Sequence, residues 1–174
     1  MSKNSTLKQT LVNIRQVNKH VNEQTLILDS VDKKILKVVI DDSRLSYREL
    51  ARRLGISVGT VIERLNRLEA SGVIENYSAF INPKKIGFPL TVVMEISGKT
   101  RGSADLEKYL ATLPNVCCVY SVTGRTDTIV IARFRNIDEL NKFVQAKHSK
   151  KGIARTETLL VLDTYKEDFR PAIE

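Results

Sequence analysis

The chain has 174 residues, 42% of them hydrophobic, and its 28 Lys and Arg against 20 Asp and Glu give a formal net charge of +8. This composition allows a packed core and excludes a disordered chain. No apolar run approaches the roughly 18–20 residues of a membrane span, and residues 1–28 lack the apolar stretch of a signal peptide. We therefore expect a cytoplasmic protein, and the positive charge favours a polyanionic partner.

Few residues could support catalysis or bind a metal. The two cysteines, Cys117 and Cys118, are adjacent, and the two histidines, His20 and His148, are far apart in the chain. This spacing fits neither a redox motif nor a zinc site, so we predict no metal and no cofactor, and we expect the cysteines to lie in a strand with one side chain on each face. Because no nucleophile with a base, no carboxylate pair and no phosphate loop is recognisable, we predict that the protein is not an enzyme.

The positive charge is unevenly distributed along the chain. Residues 1–28 carry +3, residues 29–82 carry nine basic and eight acidic side chains, and residues 83–174 carry +4. The nearly neutral middle segment nevertheless contains a cluster of six arginines within 24 residues: Arg44, Arg48, Arg52, Arg53, Arg64 and Arg67. The placement of these arginines is more informative than the total charge.

Residues 1–28 form a basic extension before the first strongly periodic segment. Leu7, Leu11, Ile14 and Val21 are spaced as on one face of an amphipathic helix. A tail that becomes ordered only on a partner is an equally good interpretation, and both stay open.

Residues 29–72 show the apolar period of three consecutive helices. Capping residues and glycines mark their expected starts and ends: Asp29 or Ser30 before the first helix, Ser46 and Gly55 around the second, and Ser57 and Gly72 around the third. At the second helix, Ser46 and Glu49 have the spacing of a capping box.

The second and third helices have the features of a helix-turn-helix. Ala51 supplies the small residue needed where the helices approach, and Gly55 suits the turn. Guanidinium groups can bind phosphate or guanine, while hydroxyl groups and helix N-terminal amides favour phosphate. We therefore predict a DNA-binding surface made of Arg44, Arg48, Ser57, Gly59, Thr60, Glu63, Arg64 and Arg67. The alternative is an ordinary helical hairpin with a solvated arginine face.

One position departs from the commonest helix-turn-helix pattern. An apolar residue usually stands three positions after Val61, but Arg64 stands there and Leu65 follows it. This departure favours a winged or otherwise varied three-helix unit.

The sequence predicts a hinge strand and linker at residues 73–87. A second domain is expected at residues 88–168, followed by a tail at residues 169–174. The periods of the second domain follow the order β-α-β-β-α-β of a ferredoxin-like sandwich. The expected strands are 90–97, 116–123, 128–134 and 156–165. Helices in such a domain cover one face of the sheet, so we expect the other face, rich in Val and Ile, to pair with a second subunit.

The segment Gly124-Arg125-Thr126-Asp127 lies between two of these predicted strands. A glycine turn followed by a lone aspartate can hold a cation such as an ammonium group, and Thr123, Thr156 and Thr158 at nearby strand ends could add hydroxyl groups. A plain hairpin turn is the alternative, because Gly and Asp are good turn formers.

Several motifs, in this order, resemble those of the Lrp/AsnC (feast/famine) transcription regulators. They are the opening of the first helix at 28–36, the third helix with its flanks at 54–74, the segment 77–83, the turn at 124–127 and the segment 155–158. The resemblance covers about residues 28–168. It implies an α+β protein with a winged-helix-type DNA-binding domain, a hinge strand and a sandwich domain that dimerises and assembles into tetramers or octamers.

The resemblance also implies a function. Such a regulator, cytoplasmic and associated with the nucleoid, binds a partly palindromic operator and controls genes of amino-acid metabolism and often its own gene. Its amino-acid effector binds between subunits of the sandwich domain, which implies that Asp127 binds the amino group, that Gly124 to Thr126 supply the turn backbone, and that Thr156 and Thr158 border the pocket from another subunit. The alternative is an architectural DNA-binding protein of low specificity without an effector.

Two departures from the family leave questions open. Thr126 stands where many relatives have an aromatic residue before the aspartate, so the identity of the effector is open. The basic extension is longer than the usual N-terminus of the family. If it adds phosphate contacts or bridges subunits, deleting residues 2–27 should weaken DNA binding and flatten its salt dependence.

Overall fold

The computed structural model describes residues 26–98, 104–148 and 152–174. They group into two compact units, one of residues 26–80 with 166–174 and the other of the described part of 81–165. The helix considered for the N-terminal extension falls on residues 1–25, outside the described residues. Within the described ranges, no helix combines the length and the apolar character needed to cross a bilayer.

The first unit contains the three predicted helices. They are α1 (Ser30–Asp41), α2 (Tyr47–Leu54) and α3 (Val58–Ala70). A side-chain oxygen of Asp29, Ser46 or Ser57 accepts a hydrogen bond from the first-turn backbone of each helix, which confirms the predicted starts. At α1 the cap is reciprocal, because the Asp32 carboxylate accepts the backbone N–H of Asp29 at 3.0 Å. Gly55 ends α2 with a φ of 65°.

The three helices share one apolar core. Its buried side chains are Ile35, Leu36, Val39, Leu50, Ala51, Val61, Leu65 and Leu68. Burial of this surface is the main contribution to the stability of the unit. Ala51 lies in the core as expected, and its carbonyl accepts the Ile56 N–H at 3.1 Å, which closes the turn after α2.

The predicted hinge strand is not formed within the described residues. Between Ile74 and the short 3-10 turn at Lys84–Ile86, the chain is extended or irregular and forms no strand. A strand requires a neighbour that pairs with its backbone groups, and no other described segment pairs with this one. Phe80 and Ile81 accordingly expose 75% and 63% of their surface.

The second unit has the predicted β-α-β-β-α-β order. Its elements are β1 (Leu90–Gly98), α4 (Ala104–Ala111), β2 (Val116–Ser121), β3 (Thr128–Phe134), α5 (Ile137–His148) and β4 (Ile153–Leu160). The four strands form one antiparallel sheet in the order β2-β3-β1-β4. This topology confirms the ferredoxin-like sandwich.

Two strands end earlier than predicted. β2 stops at Ser121 rather than at residue 123, because the Val122 N–H donates across the following turn to the carbonyl of Asp127 at 2.9 Å. β4 covers 153–160 rather than 156–165, because its partner β1 pairs with it only between Val92 and Gly98.

The two faces of the sheet differ in what covers them. On one face, alternate side chains of the strands pack against α4 and α5. The buried core of the unit consists of Val92, Met94, Ile96, Val130, Ala132, Phe134 and Ile153 from the strands, with Leu110 of α4 and Leu140 of α5. The opposite face presents Val93 and Ile131, which are paired across β1 and β3 and only half-buried, and Leu159, which pairs with Val93 and is exposed. This apolar face is the one expected to pair with a second subunit.

Both cysteines lie in β2, as predicted. The register shifts between Val116 and Cys118, which places the exposed Cys117 at a β-bulge. Cys118 pairs with Ile131 and is half-buried on the apolar face of the sheet.

Candidate DNA-binding surface and effector site

The solvent face of α3 carries small and polar side chains together with the exposed Val58 and Ile62. Gly59, Glu63 and Asn66 are exposed and follow one another at helical spacing. At the start of the helix, the hydroxyl oxygens of Ser57 and Thr60 lie 2.9 Å apart, and Ser57 Oγ also accepts the Thr60 N–H at 3.0 Å. This surface therefore offers a helix N-terminus, hydroxyl groups and an unobstructed backbone at Gly59, which suit contact with phosphates and base edges.

The two arginines of α3 have partners inside the protein. Nη1 of Arg64 contacts the carboxylates of Asp29 and Asp32, with 3.3 Å to Asp32 Oδ1, and Nη2 of Arg67 contacts Asp32 Oδ2. Asp32 is fully buried, and the Arg64 side chain is only 25% exposed. The backbone N–H of Asp32 and then the Arg64 guanidinium lower the pKa of Asp29 to about 2. This four-residue cluster ties α3 to the N-terminal end of α1.

Sequence reasoning placed Arg64 and Arg67 on the DNA-binding surface but did not find their acidic partners. The partners lie 32 to 35 residues away in the chain, so no local period connects them. The signal that could have found them was Arg64 itself, which occupies the position where the helix-turn-helix pattern favours an apolar residue. A side chain facing the interior there requires a carboxylate partner.

Arg44 and Arg48 are predicted DNA contacts that lie at the surface outside the cluster around Asp32. The Arg44 side chain is 91% exposed and pairs with Asp42, with Nε 3.3 Å from Oδ1. Arg48 is exposed in the first turn of α2 and forms no ion pair with the described residues. Because an exposed ion pair contributes little to stability, Arg44 can exchange Asp42 for a phosphate at little cost.

Arg52 and Arg53 complete the arginine cluster, and both bind Glu49 one turn earlier. Arg52 does so with two hydrogen bonds, of 2.9 and 2.7 Å, and Arg53 with one of 2.9 Å. The hydrogen bonds from Arg52 and then Arg53 lower the pKa of Glu49 to about 2. The Glu49 carboxylate thus accepts hydrogen bonds from both arginines, while the Glu49 backbone N–H donates to the capping Ser46 hydroxyl.

The Gly124–Asp127 turn is fastened to the end of β1. Oδ2 of Asp127 accepts the Gly98 N–H at 3.0 Å, and the Asp127 N–H donates to the Ile96 carbonyl at 3.2 Å. Thr126 Oγ1 donates to the same Ile96 carbonyl at 2.9 Å. Gly124 has a φ of 124°, which residues with a side chain rarely adopt. These bonds place the Asp127 carboxylate at a defined position beside the strand.

The remaining predicted effector residues are divided between the turn and β4. Thr123 and Arg125 are exposed beside the turn. Thr156 and Thr158 pair with Ile96 and Met94 of β1, so β1 separates them from β3 and its turn. Thr156 Oγ1 is buried and has no hydrogen-bond partner among the described residues. A buried hydroxyl normally has a hydrogen-bond partner, which for Thr156 lies outside the described residues.

Family comparisons match both units of the chain. The model for winged helix-turn-helix DNA-binding domains matches residues 28–75, and the model for the Lrp/AsnC ligand binding domain matches residues 91–171. The chain belongs to the Lrp/AsnC family. It is therefore a transcription regulator with a DNA-binding domain and a ligand-binding domain, in a family of regulators rather than enzymes.

Individual relatives agree with membership of the Lrp/AsnC family. An uncharacterised HTH-type transcriptional regulator of Pyrococcus abyssi is 43% identical over 144 residues, which are 83% of this chain and 98% of that relative. The HTH-type transcriptional regulator FL11 of Pyrococcus horikoshii is 34% identical over 80% of this chain and 93% of its own length. A transcriptional regulator of Neisseria meningitidis, solved as a complex with L-Met, is 27% identical with a TM-score of 0.76, over 82% of this chain and 95% of that one.

Proposed function

We propose that this Lrp/AsnC regulator binds a partly palindromic operator as a dimer and that an amino acid bound to the sandwich domain modulates this binding. The observation that supports it most is the exposed polar face of a capped α3, fixed to α1 by the Asp32 cluster. A rigid helix of this kind can enter a major groove, and two-fold symmetry then places two such helices on successive half-sites. Target genes of amino-acid metabolism, including its own gene, are part of the same proposal.

Within this proposal, the DNA-contacting residues divide into two groups. Arg44, Arg48, Ser57, Gly59, Thr60 and Glu63 contact phosphates and base edges. Arg64 and Arg67 act through Asp29 and Asp32 and hold α3 in place, because their guanidinium groups are engaged on the side of α3 that packs against α1.

The proposed effector site is centred on Asp127. Its carboxylate supplies the negative charge that an amino group requires, and its bonds to β1 keep it in position. The buried Thr156 hydroxyl, which has no hydrogen-bond partner among the described residues, is consistent with a polar ligand or a second subunit near β4. The Neisseria regulator was solved with L-Met, which supports an amino acid as the class of ligand.

The second subunit of the proposed dimer packs on the apolar sheet face around Val93, Ile131 and Leu159. The variant Ile131→Glu places a charge in that face and should yield monomers by analytical ultracentrifugation. Lys142→Glu, an exposed change on α5, is the matched control and should leave the assembly intact. A dimer that persists in Ile131→Glu would place the interface elsewhere.

Two measurements test the proposed function together. A thermal-shift screen with the common amino acids should give a stabilising ligand, and footprinting of the region upstream of the gene should give a protected, partly palindromic site that changes with that ligand. Equal protection of unrelated sequences together with no ligand in the screen would instead identify an architectural DNA-binding protein.

A further inference from the structure

The C-terminal residues 166–174 follow the sandwich domain in sequence but group with the helix-turn-helix unit in space. Ile173 is partly buried and packs against the core of α1, α2 and α3. With Leu36, Val39 and Ile74 it lines a groove beside α1. Apolar burial of this kind holds a chain terminus that would otherwise fray.

Arg170 makes a second set of contacts in the same unit. Its Nη1 donates to the Ile40 carbonyl at 3.3 Å, and its guanidinium carbon lies 5.4 Å from the ring centre of Phe80. Asp168 holds the guanidinium with two side-chain hydrogen bonds, of 2.9 and 3.0 Å, and these bonds, with one from the Arg170 N–H, lower the pKa of Asp168 to about 2. The contacts join the tail to α1 and to the segment that leaves α3.

These contacts supply what the C-terminal end of α1 lacks. The last four carbonyls of a helix have no partner within the helix, and its C-terminus favours a cation. The last turn of α1 contains no basic residue and ends at Asp41, which adds unfavourable negative charge there. Arg170 provides both a donor for one of these carbonyls and a positive charge beside Asp41.

We propose that residues 166–174 are an integral part of the DNA-binding domain, in which Arg170 and Ile173 are positioning residues for α1. Because Asp32 of α1 binds both arginines of α3, a displaced α1 also displaces the helix that contacts DNA. Within the described residues, the chain passes between the two units after residue 80 and again after residue 165. The two units are therefore joined covalently at both of these points.

Hydrogen exchange of the full-length protein tests this proposal without DNA. In the double variant Arg170→Ala/Ile173→Ala, amides of residues 36–42 should exchange about tenfold faster or more, while those of β1 and β3 keep their rates. The control is Tyr165→Ala, since Tyr165 is 98% exposed and should change neither set. Unchanged exchange at 36–42, or equal acceleration in both units, would overturn the proposal.

DNA binding and a charge rescue separate positioning from direct DNA contact. Arg170→Ala should weaken DNA affinity about threefold without changing the slope of affinity against salt, because no phosphate contact is lost. Adding Asp41→Lys to this variant gives α1 a cation of its own and should restore both the exchange rates at 36–42 and the affinity. A reduced salt slope would make Arg170 a phosphate contact, and failure of the rescue would reject its role at the helix end.

Discussion

Arg67 of α3 contacts the carboxylate of Asp32 in α1, and that carboxylate is fully buried. Asp32 also accepts from Arg64 and caps the start of α1, so one side chain joins the beginning of the first helix to the middle of the third. The orientation of α3 relative to α1 therefore depends on an acidic residue outside the helix-turn-helix itself.

Removing the Asp32 carboxylate should destabilise the DNA-binding domain. Asp32→Ala leaves two arginines without their buried partner, and we expect a loss of about 3 kcal/mol in the free energy of unfolding of this unit, measured by urea denaturation. Asp42→Ala removes only exposed interactions with Arg44, an ion pair and a hydrogen bond from its backbone N–H, and should cost much less than Asp32→Ala. Equal losses in the two variants would contradict the role of Asp32.

The salt dependence of DNA binding should separate the two kinds of arginine. If Arg48 contacts phosphate as proposed, Arg48→Ala removes that contact, and the slope of log affinity against log salt should fall by about 0.9 while the unfolding midpoint stays the same. Arg64→Ala should weaken DNA binding, lower the unfolding midpoint and leave the slope nearly unchanged. If Arg64→Ala instead reduced the slope without affecting stability, Arg64 would be a DNA contact and not a positioning residue.

A conservative change at Asp127 should separate its structural from its ligand-binding role. Asp127→Asn retains an oxygen that can accept the Gly98 N–H but loses the negative charge. We expect the fold to be kept and the thermal shift produced by amino acids to disappear. Asp127→Ala should abolish the shift as well and also lower stability by about 1 kcal/mol, because the Gly98 N–H loses its acceptor. A shift that survives in Asp127→Asn would move the effector site elsewhere.

Acid should destabilise the DNA-binding unit over a defined pH range. The pKa values of Asp29 and Glu49 are both lowered to about 2, that of Asp29 chiefly by the backbone N–H of Asp32 and that of Glu49 chiefly by the Arg52 guanidinium. A carboxylate with a lowered pKa in the folded state stabilises the protein above its unfolded pKa, and this stability is lost as the pH falls through the folded value. The unfolding midpoint should therefore decline between about pH 5 and pH 2. Glu49→Gln should show a shallower decline over this range.

The elements that local chemistry controls could be predicted from the sequence. Asp29, Ser46 and Ser57 cap the three helices because a cap needs only its own side chain and the next two or three backbone N–H groups. Alternation along β1 and β3 likewise identifies the buried face of each strand, since side chains on a strand point to opposite faces.

Pairings between distant segments could not be predicted in this way. The hinge strand was expected from its β-rich residues, yet no described segment pairs with it, because a strand depends on a partner as much as on its own sequence. The tail was expected to be separate, but Ile173 and Arg170 meet α1 some 130 residues earlier in the chain.

The sequence by itself determined the order of elements, their caps and the helix-turn-helix, because all of these depend on residues within a turn or two of one another. Only the tertiary structure decided which groups of the protein Arg64 and Arg67 contact. Folding brings the buried carboxylate of Asp32, which lies 32 to 35 residues away in the chain, within reach of both side chains. A buried carboxylate requires a cationic partner, and these two guanidinium groups supply it.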